Sequence, residues 1–246
     1  MATELLPSNY ESLVRKAIRH YWQTLSVQAN RQKADSADRG RRAAVTGGKQ
    51  MDGFCDLVQS IVAWNGMPEA SVYVRRGLEL PGYFRPTKRW DLIVVHAGHL
   101  VAAVEFKSQV GPSFGNNFNN RTEEALGSAT DIWTAYREGA FGKDRIRPWV
   151  GWLLLLEDCE DATTPVKVDE PHFGVFPEFR GASYAGRYEI LLRKLMSEKL
   201  YDGSALILAR RAEAKSGRFR EPAIDLSIKR FLAGLGGHVR TFQASL

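Results

Sequence analysis

The chain has 246 residues, of which 44% are hydrophobic and 25% charged, a composition typical of ordinary globular proteins. Its net charge of +6 favours polyanionic partners, although so modest an excess decides little by itself. Two cysteines, Cys55 and Cys159, are too few for a disulfide framework or a cysteine-rich zinc site. No apolar run could span a bilayer and no apolar signal region opens the chain, so we expect no membrane contact and a cytoplasmic location.

The first quarter of the chain contains two predicted helices. Apolar residues recur at helical spacing over residues 10–28 and predict a core-packing helix. Residues 29–49 are polar and basic, which indicates either a flexible connection or an arm that orders on DNA phosphates. A second helix is predicted from about Lys49 to residue 65. Its Asp52 is either a helix-terminus carboxylate or an extra acidic group near a metal.

Beyond a strand predicted over residues 71–80, the sequence has the pattern of a β-hairpin. Two apolar runs rich in β-branched residues flank a short turn at residues 96–99. Asp91 stands at the entry of the first strand, and Glu105 and Lys107 stand at the exit of the second. Side chains alternate along a strand, and an antiparallel hairpin brings the start of one strand beside the end of the next. We therefore expect the two carboxylates and the ammonium to converge.

This grouping suits metal-dependent cleavage of phosphodiesters. Two carboxylates bind a hard cation such as Mg²⁺, and a nearby lysine can position water or stabilise charge on phosphorus. The pattern is called PD-(D/E)xK in metal-dependent DNA nucleases, although Trp90 stands here in place of proline. An exposed charge pair on an edge strand would look the same. A second copy runs from Glu213 to Lys215 with Asp202 upstream, but only the first copy directly continues an apolar strand.

The segment that directly follows Lys107 is a candidate for base recognition. Residues 108–121 contain four asparagines, one arginine and two phenylalanines. Asparagine makes paired hydrogen bonds to adenine, and arginine makes them to guanine. Asparagine also suits turns and helix caps, so the alternative is a loop that caps a helix starting near Arg121.

The rest of the chain alternates helices with apolar runs. Predicted helices span residues 121–138, 187–201 and 222–235, and predicted strands span residues 149–156 and 205–209. Together with the hairpin, this order predicts an α/β (α+β) fold in which helices flank a mixed central β-sheet. We expect a single domain that covers residues 1–246.

Three stretches together resemble the XhoI family of Type II restriction endonucleases: residues 48–54, residues 105–109 and residues 111–121. The resemblance covers essentially the whole chain and implies a restriction-endonuclease-like PD-(D/E)xK core. It also implies a homodimer that needs Mg²⁺ and cuts double-stranded DNA at the palindrome 5′-CTCGAG-3′, after the first C, leaving 5′ overhangs. Such enzymes belong to restriction–modification systems, in which a methyltransferase protects the same site.

The resemblance also implies roles for individual residues. Asp91 and Glu105 would be metal ligands, joined by the Phe106 carbonyl and, as a further acidic group, Asp52. Lys107 would orient or activate the water. Contacts with DNA are expected from Lys49, Gln50, Ser108, Gln109, Asn116, Asn117, Asn119, Asn120 and Arg121.

Two other functions remain open. A repair nuclease or junction resolvase reads DNA structure rather than sequence, so the asparagine-rich segment would have less purpose in it. A non-catalytic, sequence-specific DNA-binding regulator belongs to a different class. It would not need Asp91, Glu105 and Lys107 together.

Overall fold

The computed structural model describes residues 4–34, 49–142 and 146–246. Within these ranges, helices pack on both faces of a five-stranded mixed β-sheet. None of the described helices is long and apolar enough to cross a membrane. The helices are α1 (Tyr10–Ala34), α2 (Asp52–Trp64), α3 (Phe114–Arg137), α4 (Glu160–Thr163), α5 (Tyr184–Ser197) and α6 (Ile228–Ala244). The strands are β1 (Val72–Tyr73), β2 (Glu79–Pro81), β3 (Thr87–Arg89), β4 (Leu92–His96), β5 (His99–Gln109), β6 (Trp149–Glu157) and β7 (Gly203–Ala209).

The strands lie in the order β1-β4-β5-β6-β7, and β2 and β3 form a separate two-stranded ribbon. β4 pairs antiparallel with β5, whereas β5, β6 and β7 run parallel. Ala97 and Gly98 form the β4–β5 turn, with φ angles of 48° and 78°. Two consecutive positive φ angles characterise the tight turns that match the twist of a hairpin. The predicted hairpin is therefore present, with its turn where the sequence placed it.

Apolar side chains line both faces of the sheet because the central strands alternate sides. Leu153 and Leu155 of β6 pack with α1, α2 and α6 in one core, while Leu154 and Leu156 pack with α3 and α5 in the other. Along β5, Val104 and Phe106 enter the first core and Ala103 enters the second. By this alternation, Glu105 and Lys107 face the side that α3 and α5 cover.

Two predicted boundaries in the first half differ from the structure. Helix α1 continues to Ala34, so the connection predicted over residues 29–49 begins as helix, and residues 35–48 lie outside the described ranges. The strand predicted over residues 71–80 is two short strands that belong to different sheets. The chain changes direction between them at Gly77, whose φ of 66° suits glycine.

Helix α3 begins at Phe114 rather than near Arg121, so the asparagine-rich segment is helical and not a loop. The Phe114 ring stacks on Tyr184 with centroids 5.7 Å apart, and the Phe118 ring meets Tyr188 edge-on at 5.1 Å. This packing between α3 and α5 outweighs the weak helix propensity of asparagine and glycine.

The last two helices are also displaced from their predicted ranges. Helix α5 covers Tyr184–Ser197 instead of residues 187–201, and α6 covers Ile228–Ala244 instead of residues 222–235. Three glycines, Gly234, Gly236 and Gly237, lie where the predicted helix ends. One of them, Gly236, instead allows close packing on α2, because a Cβ there would come within 2.6 Å of the Asn65 amide nitrogen.

Candidate active site

The open end of the β4–β5 hairpin brings two carboxylates and one ammonium together. The antiparallel register places Asp91, which precedes β4, opposite Glu105. Asp91 Oδ2 accepts a hydrogen bond of 2.8 Å from the Phe106 amide, so the Asp91 side chain is tied to β5 just before the first residue of β4. Lys107 Nζ forms an ion pair with Glu105 Oε2 and lies 3.8 Å from Asp91 Oδ2. The three predicted side chains therefore converge.

Helix α2 supports the hairpin from the opposite side. The Phe106 ring points away from the carboxylates and lies 6.4 Å from the Phe54 ring, measured between centroids. The Cys55 thiol donates a hydrogen bond of 3.8 Å to the backbone carbonyl of Asp91. These contacts fix the backbone on either side of the site, so the positions of its side chains depend on the packing of α2.

A second lysine, Lys88 of β3, belongs to the site and was not predicted. Its Nζ donates to Glu105 Oε1, while Lys107 occupies Oε2 of the same carboxylate. Lys88 also donates to the Arg89 carbonyl at 3.2 Å and lies 4.7 Å from the centre of the Trp90 ring. Its position in the site could not be read from the sequence, because a strand of three residues shows no periodicity that would indicate the direction of its side chain.

The charges of the site are balanced around Glu105, whose side chain is only 3% exposed. Burial alone would raise the pKa of Glu105, but Lys107 and Lys88 together hold that pKa below its ordinary value. Burial would lower the pKa of Lys107, yet Glu105 and Asp91 raise it above its ordinary value. Burial raises the pKa of Asp91, and Lys107 opposes this rise. The site therefore holds an anionic Glu105 between two ammonium groups.

The donor set suits a small, hard cation. Mg²⁺ is commonly held by one or two carboxylates and completes its shell with water and phosphate oxygens, and Asp91 and Glu105 offer such a pair. Among the described residues, no group of three or more His, Cys, Asp or Glu side chains could hold a metal ion. Asp52, the further acidic group suggested by the resemblance, is therefore not part of such a cluster, and it lies 3.8 Å from Arg75 instead. The Phe106 carbonyl remains a predicted ligand.

The second Glu-x-Lys copy is not assembled into a site. Asp202 precedes β7, where its carboxylate accepts a hydrogen bond of 2.8 Å from the Val150 amide and pairs with Arg147. Glu213 follows β7 and pairs with Arg218 at 3.1 Å. A strand of seven residues separates the two acids, which corresponds to about 23 Å at 3.3 Å per residue.

Helix α3 carries the asparagines that were predicted to contact DNA. Asn116, Asn119 and Asn120 are exposed, whereas Asn117 and Arg121 are half-buried. Arg121 forms an ion pair with Glu124. The charge of Glu124 raises the pKa of Lys107, although less strongly than Glu105 and Asp91 do. Glu124, in the third turn of α3, therefore lies on the side of Lys107, and the first two turns present amide groups to solvent.

The remaining predicted DNA contacts differ in accessibility. Gln109 is buried, donates to the Phe114 carbonyl at 3.0 Å and accepts from the Tyr188 hydroxyl. This position does not favour the predicted contact of Gln109 with DNA. Ser108 is half-buried and hydrogen-bonded to Tyr21, a tyrosine whose pKa is raised to about 12, mainly by burial. At the start of α2, the Lys49 side chain is exposed and Gln50 is half-buried.

Comparison with known proteins identifies the family. The model of the family described as restriction endonuclease XhoI matches residues 30–221, more than half of the chain. The chain is 53% identical to the Type II restriction enzyme BstVI of Geobacillus stearothermophilus, over 86% of this chain and 96% of that enzyme. It is 50% identical to the Type II restriction enzyme XhoI of Xanthomonas vasicola, over 80% of this chain and 78% of the relative.

A third relative, the Type II restriction enzyme AbrI of Azospirillum brasilense, is 51% identical over 70% of this chain and 77% of its own length. No solved structure matches the chain. The family match and the three relatives agree with the nuclease-like arrangement at the hairpin end. The chain belongs to the XhoI family of restriction endonucleases.

Proposed function

We propose that this protein is a Type II restriction endonuclease that cuts double-stranded DNA at 5′-CTCGAG-3′, after the first C of each strand, in the presence of Mg²⁺. The observation that carries the proposal is the convergence of Asp91, Glu105 and Lys107 at one hairpin end. The 50–53% identity to Type II restriction enzymes supports the choice of DNA as substrate. The base sequence and the 5′ overhangs come from the resemblance to the family.

The side chains at the open end of the hairpin support the following mechanism. Asp91 and Glu105, with the Phe106 carbonyl, would hold Mg²⁺, which supplies positive charge to stabilise the phosphate oxygens during reaction. Lys107 contacts both carboxylates and can hold a water in line with the scissile bond. The water oxygen forms a new bond to phosphorus, and the bond from phosphorus to the 3′ oxygen breaks. A proton from the water goes to solvent and the 3′ oxygen takes one up, leaving a 5′-phosphate and a 3′-hydroxyl.

The first turns of α3 are the proposed recognition element. Their exposed amides, on Asn116, Asn119 and Asn120, have the donor and acceptor groups that read base edges. A palindrome presents the same half-site to two identical subunits, so we infer a homodimer in which each subunit cuts one strand. A methyltransferase that modifies the same sequence would protect the host DNA without needing to bind this protein.

Incubation of the purified protein with plasmid DNA in Mg²⁺, with EDTA as control, tests the proposal when the fragment ends are sequenced. We expect discrete, Mg²⁺-dependent fragments with 5′-TCGA overhangs. Discrete ends at another sequence would support the nuclease activity but contradict the proposed recognition sequence. Ends at no fixed sequence would favour a structure-specific repair nuclease or resolvase. Bound but uncut DNA in every metal would favour a non-catalytic DNA-binding protein.

A further inference from the structure

The ribbon formed by β2 and β3 holds two aromatic rings out in solvent. Its tip, residues 82–86, exposes 54% of Tyr83 and 70% of Phe84, and the two rings meet edge-on at 4.9 Å. The other face of the ribbon is anchored. Leu80 packs into the core beside α3, and its strand partner Lys88 reaches Glu105 of the active site. The exposed rings therefore sit on a hairpin that is fixed to the reactive carboxylate.

A buried carboxylate on α3 fixes the conformation of this tip. Asp131 Oδ1 accepts hydrogen bonds from the backbone amides of Tyr83 at 2.8 Å and Phe84 at 2.9 Å. Its Oδ2 accepts from Arg85 Nε at 2.6 Å. Gly82 lies so close that an added Cβ would be 2.7 Å from Asp131 Oδ2. The tip is thus preorganised, and a rigid apolar projection loses little conformational entropy when it binds a partner.

The surroundings of the tip are cationic, which favours DNA as the partner. Between Arg75 and Arg89 the chain carries four arginines and Lys88 against a single acidic residue, Glu79. All four arginines are exposed. Three of them pair with one carboxylate each, Arg75 with Asp52, Arg85 with Asp131 and Arg89 with Glu79, but their side chains remain 45% to 74% exposed and can also reach phosphates. Apolar rings surrounded by positive charge match a duplex, whose phosphates flank stacked bases.

The tip lies on the same side of α3 as the proposed recognition asparagines. Asn116, Asn120, Glu124, Gly127 and Asp131 are spaced at three or four residues and form one stripe along the helix. Asn120 and Asp131 are about 17 Å apart at 1.5 Å per residue, which is about five base-pair steps. A Cβ added at Gly127 would meet no protein atom within 4 Å, so the middle of the stripe is open to a ligand.

We propose that Tyr83 and Phe84 are a DNA-binding wedge, whose rings pack against bases of the duplex that the active site cleaves. The inference rests on the proposed function, because it takes the cleaved duplex as the ligand. It adds a second contact region to α3, one that works through apolar and stacking contacts rather than hydrogen bonds to base edges. The contact of Lys88 with Glu105 ties the ribbon that carries these rings to the active site; Phe84 lies four residues before Lys88 in the ribbon, about 13 Å at 3.3 Å per residue.

The test measures binding of a fluorescently labelled duplex that contains 5′-CTCGAG-3′, with Ca²⁺ replacing Mg²⁺ and with intact DNA checked on a gel. We expect the Y83A/F84A protein to bind about 10 to 100 times more weakly than wild type, since loss of a stacked base costs about that factor. The Y83F/F84L protein keeps apolar side chains and should recover most of the affinity. Phe173→Ala removes another exposed ring and should change binding less than about twofold.

Three results would overturn the inference. If Y83A/F84A binds the duplex as tightly as wild type, and wild type cuts its site, the proposed role of Tyr83 and Phe84 is wrong but the proposed function stands. Loss of the dimer in sedimentation assigns the rings to a protein interface instead. A wild-type protein that neither binds nor cuts duplex DNA removes the proposed function, and the wedge with it. Thermal melting shows whether the variants are folded; if Y83A/F84A is not, the single Phe84→Ala protein decides by the same criteria.

Discussion

Glu105 and Asp131 are both buried carboxylates that contact the β2–β3 ribbon, yet their partners differ. Their side chains are 3% and 4% exposed. Burial would raise both pKa values, and hydrogen bonds and cationic neighbours hold both below the ordinary value. Asp131 binds two backbone amides and one guanidinium. Glu105 binds two ammonium groups, from Lys88 and Lys107.

The difference lies in which partners can be replaced. Backbone amides cannot move away without unfolding the tip, so a cation has no route to the oxygens of Asp131. Lysine side chains are flexible, and a divalent cation can take the place of an ammonium on a Glu105 oxygen. Burial and the direction of the pKa shift are the same for Glu105 and Asp131, so these two properties alone do not show which carboxylate could bind a metal. The nature of the partners separates a carboxylate that fixes a loop from one that can act as a ligand.

The largest expected effect comes from Glu105→Gln, which keeps the shape of the side chain and removes its charge. We expect single-turnover cleavage to fall by about 1000-fold, because the metal and the lysines lose their shared anion. Duplex binding should stay within a few-fold of wild type. Asp131→Asn is the matched control, and at saturating protein it should cut within about tenfold of wild type. If both variants lost the same fraction of the cleavage rate, the proposed difference between a ligand carboxylate at Glu105 and a structural carboxylate at Asp131 would be wrong.

Asp131→Ala should have the next largest effect, and on stability rather than chemistry. It leaves the amides of Tyr83 and Phe84 and the Arg85 guanidinium without their acceptor, at a cost of about 3 kcal/mol in the free energy of unfolding. Urea unfolding measures this loss. The Mg²⁺ concentration that gives half-maximal cleavage should not change, and a shift in it would mean that Asp131 influences the metal site.

The hairpin and its three reactive side chains could be predicted from sequence because their signal is local. Two apolar runs rich in β-branched residues on either side of a short turn determine which strand ends meet. The β6 strand predicted over residues 149–156 corresponds closely to Trp149–Glu157, because a continuous apolar run is also a local signal, typical of a strand buried on both faces. The role of Lys88 could not be predicted in this way, since a three-residue strand has no periodic pattern. The contact of Lys88 with Glu105 depends on how the β2–β3 ribbon packs against the sheet.

The segment after Lys107 shows how tertiary contacts override local preference. The preference of asparagine for turns and caps made a loop before Arg121 the alternative interpretation, but Phe114 and Phe118 pack on α5 and the segment is helical from Phe114. The same packing buries Gln109 against Tyr188, although its place beside the reactive strand suggested a DNA contact. Spacing along the chain could not reveal either result, because both depend on residues about 70 to 80 positions away.

Lys88→Met tests whether the ammonium groups around Glu105 compete with the metal. The substitution removes one of the two ammonium groups but keeps an apolar side chain of similar length. We expect the maximal cleavage rate to fall by about tenfold as Glu105 loses a positioning contact. The Mg²⁺ concentration for half-maximal rate should fall as well, because one competing cation is gone. Lys88→Arg keeps the charge and is the control. A lowered melting temperature with unchanged Mg²⁺ dependence would limit Lys88 to a structural role.

The smallest expected effect is the pH dependence of Asp131. Its folded-state pKa lies below the ordinary value of 3.8: burial raises the pKa, and the hydrogen bonds from Phe84, Arg85 and Tyr83 more than offset that rise. The carboxylate therefore contributes stability above about pH 4 and loses that contribution as the pH falls through its folded-state pKa. The difference in free energy of unfolding between wild type and Asp131→Asn should be constant from pH 7 to 5 and narrow below pH 4. Asp158, whose pKa is also lowered by its hydrogen bond to Arg220, is present in both proteins and cancels. If the difference in free energy of unfolding widened in acid, the charge of Asp131 would oppose folding. Asp131 would then not be a stabilised buried anion, and the comparison with Glu105 would fail.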